Sequence, residues 1–470
     1  MNLVKVFAAL ATMLAPALAS AASLDGSALS IAWAVPFAGI LLSIAICPLV
    51  VPHFWHHHFG KVAVFWGACC VVPLFFYAPF SAALGAVAHA LIGDYVPFLL
   101  FVGALFVVAG GIHIKGSFKG TPLVNAGFLL VGAFFANLMG TTGAAMLLIR
   151  PLIAANEGRR RKLHTFIFFI FIVANIGGCL TPLGDPPLFL GFLRGVEFFW
   201  TTTHMMLPLL TTLAILLTLY IAIDSWAFAK DKKEGAFVAD IESGVKFGIS
   251  GGINFLYLAG IVGAVLMSGM WNPGVNFEVL SVHLSLQGLT RDALFVIFAA
   301  LSLATTPKAA RTANQFTWAP IAEVAKLFFG IFLCIVPVLE MLRAGSNGAF
   351  APVVALVTNE AGEFNNVMFF WMTGLLSAFL DNAPTYLAFF NLAGGNATEL
   401  MTTHAHTLMA VSAGSVFMGA VTYIGNAPNF MTVAIVKERG IEMPSFFGYM
   451  IWSVGILFPT FLLVDLVFFK

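Results

Sequence analysis

The chain has 470 residues, 60% hydrophobic and 9% charged, with a net charge of +1. A soluble domain carries about 25% charged residues, so this sequence cannot clothe a water-exposed surface and must be a membrane protein. A net charge of +1 says nothing about nucleic acid, but the sequence has no basic tail or arm, and no nucleic-acid partner is expected. Cys47, Cys69, Cys70, Cys179 and Cys334 all lie in apolar segments, a spacing that suits neither a disulfide framework nor a zinc site. There is no His-Glu-x-x-His, and no enzyme is expected.

Residues 1–21 stand apart. Lys5, an apolar run from Val6 to Leu18, and then Ala19-Ser20-Ala21 have the layout of a secretory signal peptide. An uncleaved interfacial helix is the alternative.

From Ile31 onward apolar segments recur to the C-terminus, and the basic residues between them orient the spans. With the mature N-terminus outside, residues 31–51 run inward toward His56, His57, His58 and Lys61, a cluster expected to anchor at the interface, and residues 62–80 return. Residues 81–93 are expected to be a connector, and residues 95–114 run inward to Lys115 and Lys119. Residues 122–153 begin beside those lysines and end beside Arg159, Arg160, Arg161 and Lys162, so both ends lie on one side. Asn137, Gly140, Thr141, Thr142 and Gly143 interrupt the stretch. Entry and exit on one side around such a break predict a re-entrant hairpin, whose irregular backbone needs protein or a wet cavity around it. Residues 165–193 run outward, broken by Gly177, Gly178, Pro182, Gly184, Pro186 and Pro187. Residues 205–229 return to a polar linker, residues 230–247.

The second half repeats the plan from the other side. Residues 249–271 go out, 272–292 form an outer loop, 293–306 come in with an outer end that can reach back into that loop, and 321–342 go out. Residues 367–393 are interrupted, and the following 394–406 hold no Lys or Arg, so this second hairpin opens outward. Residues 407–436 run inward to Lys437 and Arg439, and a final span ends the chain.

Two motifs support the repeat. Thr181-Pro-Leu-Gly184-Asp-Pro-Pro-Leu-Phe189 aligns with Thr422-Tyr-Ile-Gly425-Asn-Ala-Pro-Asn-Phe430, an offset of 241 residues from Gly184 to Gly425. The same offset carries Gly140-Thr141-Thr142-Gly143 onto Asp381-Asn382-Ala383-Pro384 with no gap. Interrupted segments at corresponding places in two halves point to a transporter binding site.

These breaks resemble those of the ion transporter superfamily, which includes NhaD-type sodium/proton antiporters, arsenite permeases, citrate–metal symporters and sodium-dicarboxylate transporters. Asn175-Ile-Gly-Gly-Cys-Leu-Thr-Pro-Leu-Gly-Asp-Pro-Pro187 is similar to the first-half signature of the antiporters and arsenite permeases, and Ser377-Ala-Phe-Leu-Asp-Asn-Ala-Pro-Thr385 to its counterpart. Where dicarboxylate transporters carry Ser-Asn-Thr, this chain has Gly140-Thr141-Thr142 and Asp381-Asn382-Ala383, which points away from a carboxylate substrate. The expectation is an all-α polytopic membrane protein of two inverted repeats, residues 22–229 and 248–470. Each would hold three spans, a re-entrant hairpin, a broken helix and a final span.

Broken helices free backbone carbonyls and half-helix ends that can hold ions. Neutral oxygens suited to sodium come from Asn137, Thr141, Thr142, Asn175, Thr181, Asn382, Asn426 and Asn429, with Gly184 and Gly425 at the breaks. Asp381 and Asp185 are the expected sodium ligands, because an acid in a span costs about 2.5 kcal/mol or more and marks an ion path by default. Asp381 is the stronger candidate, while Asp185 can instead cap a half-helix. Glu323 and Glu340 rank as secondary carboxylates or interfacial residues, Arg150 is the one cation expected near the first break, and Asp465 is expected to be solvated. The leading function is sodium/proton antiport in a bacterial inner membrane, with citrate or another organic anion or oxyanion as the alternative. No cofactor is expected beyond the sodium ion and proton; the partners are small inorganic ions and the lipid bilayer, with a homodimer left open.

Overall fold

The computed structural model describes residues 24–116, 118–236, 248–359 and 362–470. The signal-like segment and most of the polar linker lie outside them. Nine helices among the described residues are long and apolar enough to cross a membrane. The first half contributes α1 (Ile31–Val50), α2 (Pro52–Tyr77), α3 (Phe80–Ala109), α4 (Pro122–Ala155) and α7 (Trp200–Lys233). Between the last two lie the halves of the broken helix, α5 (Leu163–Ile172) and α6 (Pro186–Leu193). The second half contributes α8 (Ile253–Met270), α9 (Leu286–Thr305), α10 (Lys308–Ala313), α11 (Ala319–Arg343) and α12 (Ala351–Val357). The hairpin limbs α13 (Asn366–Phe379) and α14 (Asn382–Leu392) follow, then α15 (Ala397–Met401), the second broken helix α16 (Ala405–Met418) and α17 (Ala427–Glu438), and α18 (Phe446–Phe468).

Although α4 is long enough to span, it folds back on itself. Thr121 caps its start, accepting from the Val124 amide, and Pro122 occupies the first turn where its missing N–H costs nothing. At Gly140 the backbone turns to φ 77°, ψ 154°, a conformation that glycine adopts without a Cβ clash. The two ends then meet: the Gly120 amide donates to the Ala155 carbonyl at 2.8 Å, and Asn125 and Asn156 exchange amide hydrogen bonds of 2.9 and 2.8 Å. Limbs α13 and α14 form the matching hairpin, with Phe369 early in one limb against Phe389 late in the other.

The hairpins open toward opposite ends of α7, a 34-residue helix about 50 Å long. The first hairpin base is fixed near the C-terminal end of α7, where Arg159 and Asp224 pair at 2.6 Å, fully buried. The segment leaving the second hairpin meets the other end, where the Trp200 indole donates to the Met401 carbonyl at 3.1 Å. The opposed openings inferred from the basic residues are therefore present in the fold.

Helix α5 is buried from His164 through Ile172, and α16 from Thr407 through Met418. Helices apolar all round belong inside a bundle, and these two form its centre. Helix α2 lies at the periphery, with Phe76 88% exposed as a lipid-facing side chain would be. Two short strands, β1 (His113–Lys115) and β2 (Gly248–Ser250), pair antiparallel with His113 opposite Ser250 and tie the halves together.

Three expectations are corrected. Residues 81–93 are helical, with a π-helical turn at His89–Tyr95 that runs into the rest of α3. Residues 272–292 hold a β-hairpin, β3 (Asn276–Val279) with β4 (Val282–Ser285), where a plain loop is expected, while α9 begins at Leu286, capped by Ser285, reaching back into that stretch as expected. The histidine cluster lies within α2, which starts ten residues before the expected span because Pro52 can occupy its first turn.

Candidate functional site

The site is assembled from the four breaks. The Thr181 hydroxyl donates to the Asn137 carbonyl at 2.6 Å, stitching the first broken helix to the first hairpin. The Thr422 hydroxyl donates to the Ala378 carbonyl, the equivalent bond in the second half. Both junctions are close-packed. A Cβ on Gly184 would lie 2.0 Å from the Gly178 carbonyl oxygen, and one on Gly425 2.6 Å from the Gly419 carbonyl oxygen.

Asp185 sits where these junctions meet, 1% exposed. It occupies the N-cap position of α6, yet its side chain makes no capping hydrogen bond. Its Oδ1 accepts from the Thr141 hydroxyl at 2.9 Å and the Asn426 amide at 3.1 Å, and its Oδ2 accepts from the Asn382 amide at 2.5 Å. The donors come from the first hairpin, the second broken helix and the second hairpin. The Asn382 Oδ1 is buried without a hydrogen-bond partner among the described residues.

Asp381 plays the part first considered for Asp185. It is the N-cap of α14, accepting from the Ala383 amide at 3.1 Å, and it also lines a cavity of about 160 Å³. Thr142 and Asn426 line the same space, together with His56 from α2 and Glu323 from α11. Ranked low in the sequence, His56 and Glu323 reach the cavity through the rotation of their helices, which local sequence does not specify.

The other polar residues hold the frame. Asn137 donates to the Ala133 and Gly177 carbonyls at 3.0 and 2.6 Å and accepts from the Leu180 amide. Asn175 donates to Asn429 Oδ1 at 2.6 Å, while Asn429 donates to the Gly419 and Thr422 carbonyls at 2.8 and 2.9 Å. Gly184 offers its carbonyl to the Thr141 amide at 2.8 Å. Arg150 is remote from this cluster: its hydrogen bond goes to Gln315, at a separate cavity. Asp465 is buried rather than solvated, accepting from the Trp371 indole at 3.1 Å, because α18 turns it toward α13.

Two hairpins and two broken helices meeting around a buried carboxylate define a multi-pass membrane transporter of the ion transporter superfamily. The family described as "Putative citrate transport" matches residues 26–469, and the chain belongs to it. Among curated proteins, none matches the chain. The family favours the organic-anion alternative over the antiport expected first.

Proposed function

We propose that this protein is a secondary active transporter of a citrate-type polycarboxylate, moved with a cation or proton held at Asp185, in a bacterial inner membrane. The observation that carries the reading is the Asp185 carboxylate, held by side chains from the other three breaks beside the unpartnered Asn382 Oδ1. Carboxylate, amide and hydroxyl oxygens suit a hard cation. The adjoining cavity carries the acids Asp381 and Glu323 and no Lys or Arg among its lining residues. A bare polyanion gains nothing from such walls, so the substrate enters with its charge offset by bound cations. The family membership supports citrate as the anion.

Uptake of labelled citrate into proteoliposomes, under imposed sodium and proton gradients and with or without magnesium, tests this directly. Saturable uptake that depends on one of these cations is expected. The acid-rich cavity also favours a second reading, sodium/proton antiport. Sodium-driven proton movement in everted vesicles, with no citrate uptake, would establish that one instead.

A further inference from the structure

A second cavity, of about 290 Å³, lies away from the Asp185 cluster, at the side that carries Lys115 and Arg439. It is lined by His113 and Lys115 of β1, Arg150 and Glu157 from the end of the first hairpin, Ala313 of α10 and Arg439 at the end of α17. Three fixed positive charges thus face one acid among the lining residues. Among the described residues, no ion pair engages Arg150 or Arg439. Arg150 donates from Nη2 to the Gln315 amide oxygen at 2.9 Å, while its Nε and Nη1 are buried without a hydrogen-bond partner among the described residues. The charges of Arg150 and Arg439 repel each other, and Glu438 offsets this in part.

An arginine at a helix end can rest against the last carbonyls or reach to the interface, which accounts for Arg439. It does not account for orphaned nitrogens on Arg150, since a buried charged donor without a partner is costly. Gln315, the amide that fixes Arg150, is the left-handed residue that ends α10 (φ 49°), its own amide and that of Phe316 closing on the Thr312 and Arg311 carbonyls. Guanidinium forks held apart across a cavity match the paired oxygens of carboxylate and phosphate.

We propose that this cavity is a binding site for a small oxyanion, a polycarboxylate or a phosphate group, clamped between Arg150 and Arg439 with Lys115 adding charge. The site joins the first hairpin and the inner half of the second broken helix to β1 and α10, so an anion there sits at the seam between the central elements and their surround. The proposal is independent of which solute crosses at Asp185.

Calorimetric titration of the full chain in nanodiscs with inorganic phosphate, and separately with citrate, provides the test, with chloride at matched ionic strength as control. In zwitterionic discs, saturable one-to-one phosphate binding is expected. It should weaken about tenfold in Arg150→Gln and again in Arg439→Gln, as expected for loss of a charge-assisted hydrogen bond. Arg439→Lys keeps the charge but not the fork, so it should bind more weakly than the wild type and more tightly than Arg439→Gln, an order that a folding artefact would not produce. Binding seen in zwitterionic discs but lost in phosphatidylglycerol discs would assign the same site to a lipid headgroup. Absence of saturable binding in zwitterionic discs, or equal binding by the wild type and the double glutamine variant, would overturn the site. Failure of citrate uptake with phosphate binding intact would count against the transport reading alone.

Discussion

The Asn426 amide donates to the Asp185 carboxylate at 3.1 Å across 241 residues of chain, which is the offset that aligns the two halves. Residues equivalent under the repeat therefore touch, as happens where a pseudo-two-fold axis passes between them. The next pair obeys the same relation. Thr141 and Asn382 are equivalent, and both donate to Asp185. The site is nearly symmetric in backbone and asymmetric in charge, with an acid on one side of the axis and an amide on the other.

Asp185→Asn keeps the shape of that side chain and removes its charge. Loss of one charged interaction of this kind corresponds to about ten- to a hundredfold in affinity, so the cation concentration needed for half-maximal uptake should rise by that range. Asp381→Asn should fold normally, because Asn caps as well as Asp. Uptake in proteoliposomes at varied sodium concentration and pH reads both. An Asp185→Asn protein with unchanged cation dependence would remove Asp185 from the mechanism.

Gly184→Ala and Gly425→Ala place a methyl group against backbone carbonyls at 2.0 and 2.6 Å. Neither carbonyl can move without pulling a half-helix, so each change should cost about 3 kcal/mol or more. Gly263→Ala, in α8 with open space around the new Cβ, should be neutral or stabilising by about 0.5–1 kcal/mol. Thermal unfolding of the three detergent-solubilised variants ranks them, and equal melting temperatures would contradict the close-packed junctions.

The base of the first hairpin depends on Arg159. It pairs with Asp224 at 2.6 Å and donates to the Gly120 carbonyl at 3.2 Å, while Asp224 also engages His164 at 2.7 Å, Asn125 at 3.2 Å and Tyr220 at 3.1 Å. Arg159→Ala leaves the buried carboxylate without its cation and should destabilise by about 3–5 kcal/mol. Faster proteolysis near residues 115–121 should accompany the loss. Wild-type proteolysis and melting in this variant would show that the network carries little of the fold.

Single cysteines at Lys119 and Arg160, both exposed and flanking the first hairpin, should react with an impermeant maleimide from one side of the membrane. A cysteine at Glu399, exposed beyond the second hairpin, should react only from the other. Labelling of all three from one side would contradict the opposed openings.

Much of this arrangement was legible before folding. The breaks at Gly140, Gly184 and Gly425 are local events, written in residues that relieve or forbid backbone conformations, and charge on the flanking loops sets the side on which a segment returns. The helix over 81–93 is not legible in the sequence, because its weak apolarity looks like a connector until neighbours cover it. Residues 272–292 read as a loop in the sequence because β-hairpin strands of four residues carry little periodic signal.

The order of the repeat, the positions of its four breaks and the set of polar residues near them follow from the sequence by itself, since each depends on neighbours along the chain. Tertiary structure decided which acid lies at the centre. Asp185 and Asp381 both occupy half-helix N-caps, and what separates them is the approach of Asn382 and Asn426 from the other half, 197 and 241 residues away. The same holds for His56 and Glu323 in the cavity and for Arg150 outside it. The rotation of a helix about its axis is set by the surfaces packed against it, and those surfaces come together only when the two halves close on each other.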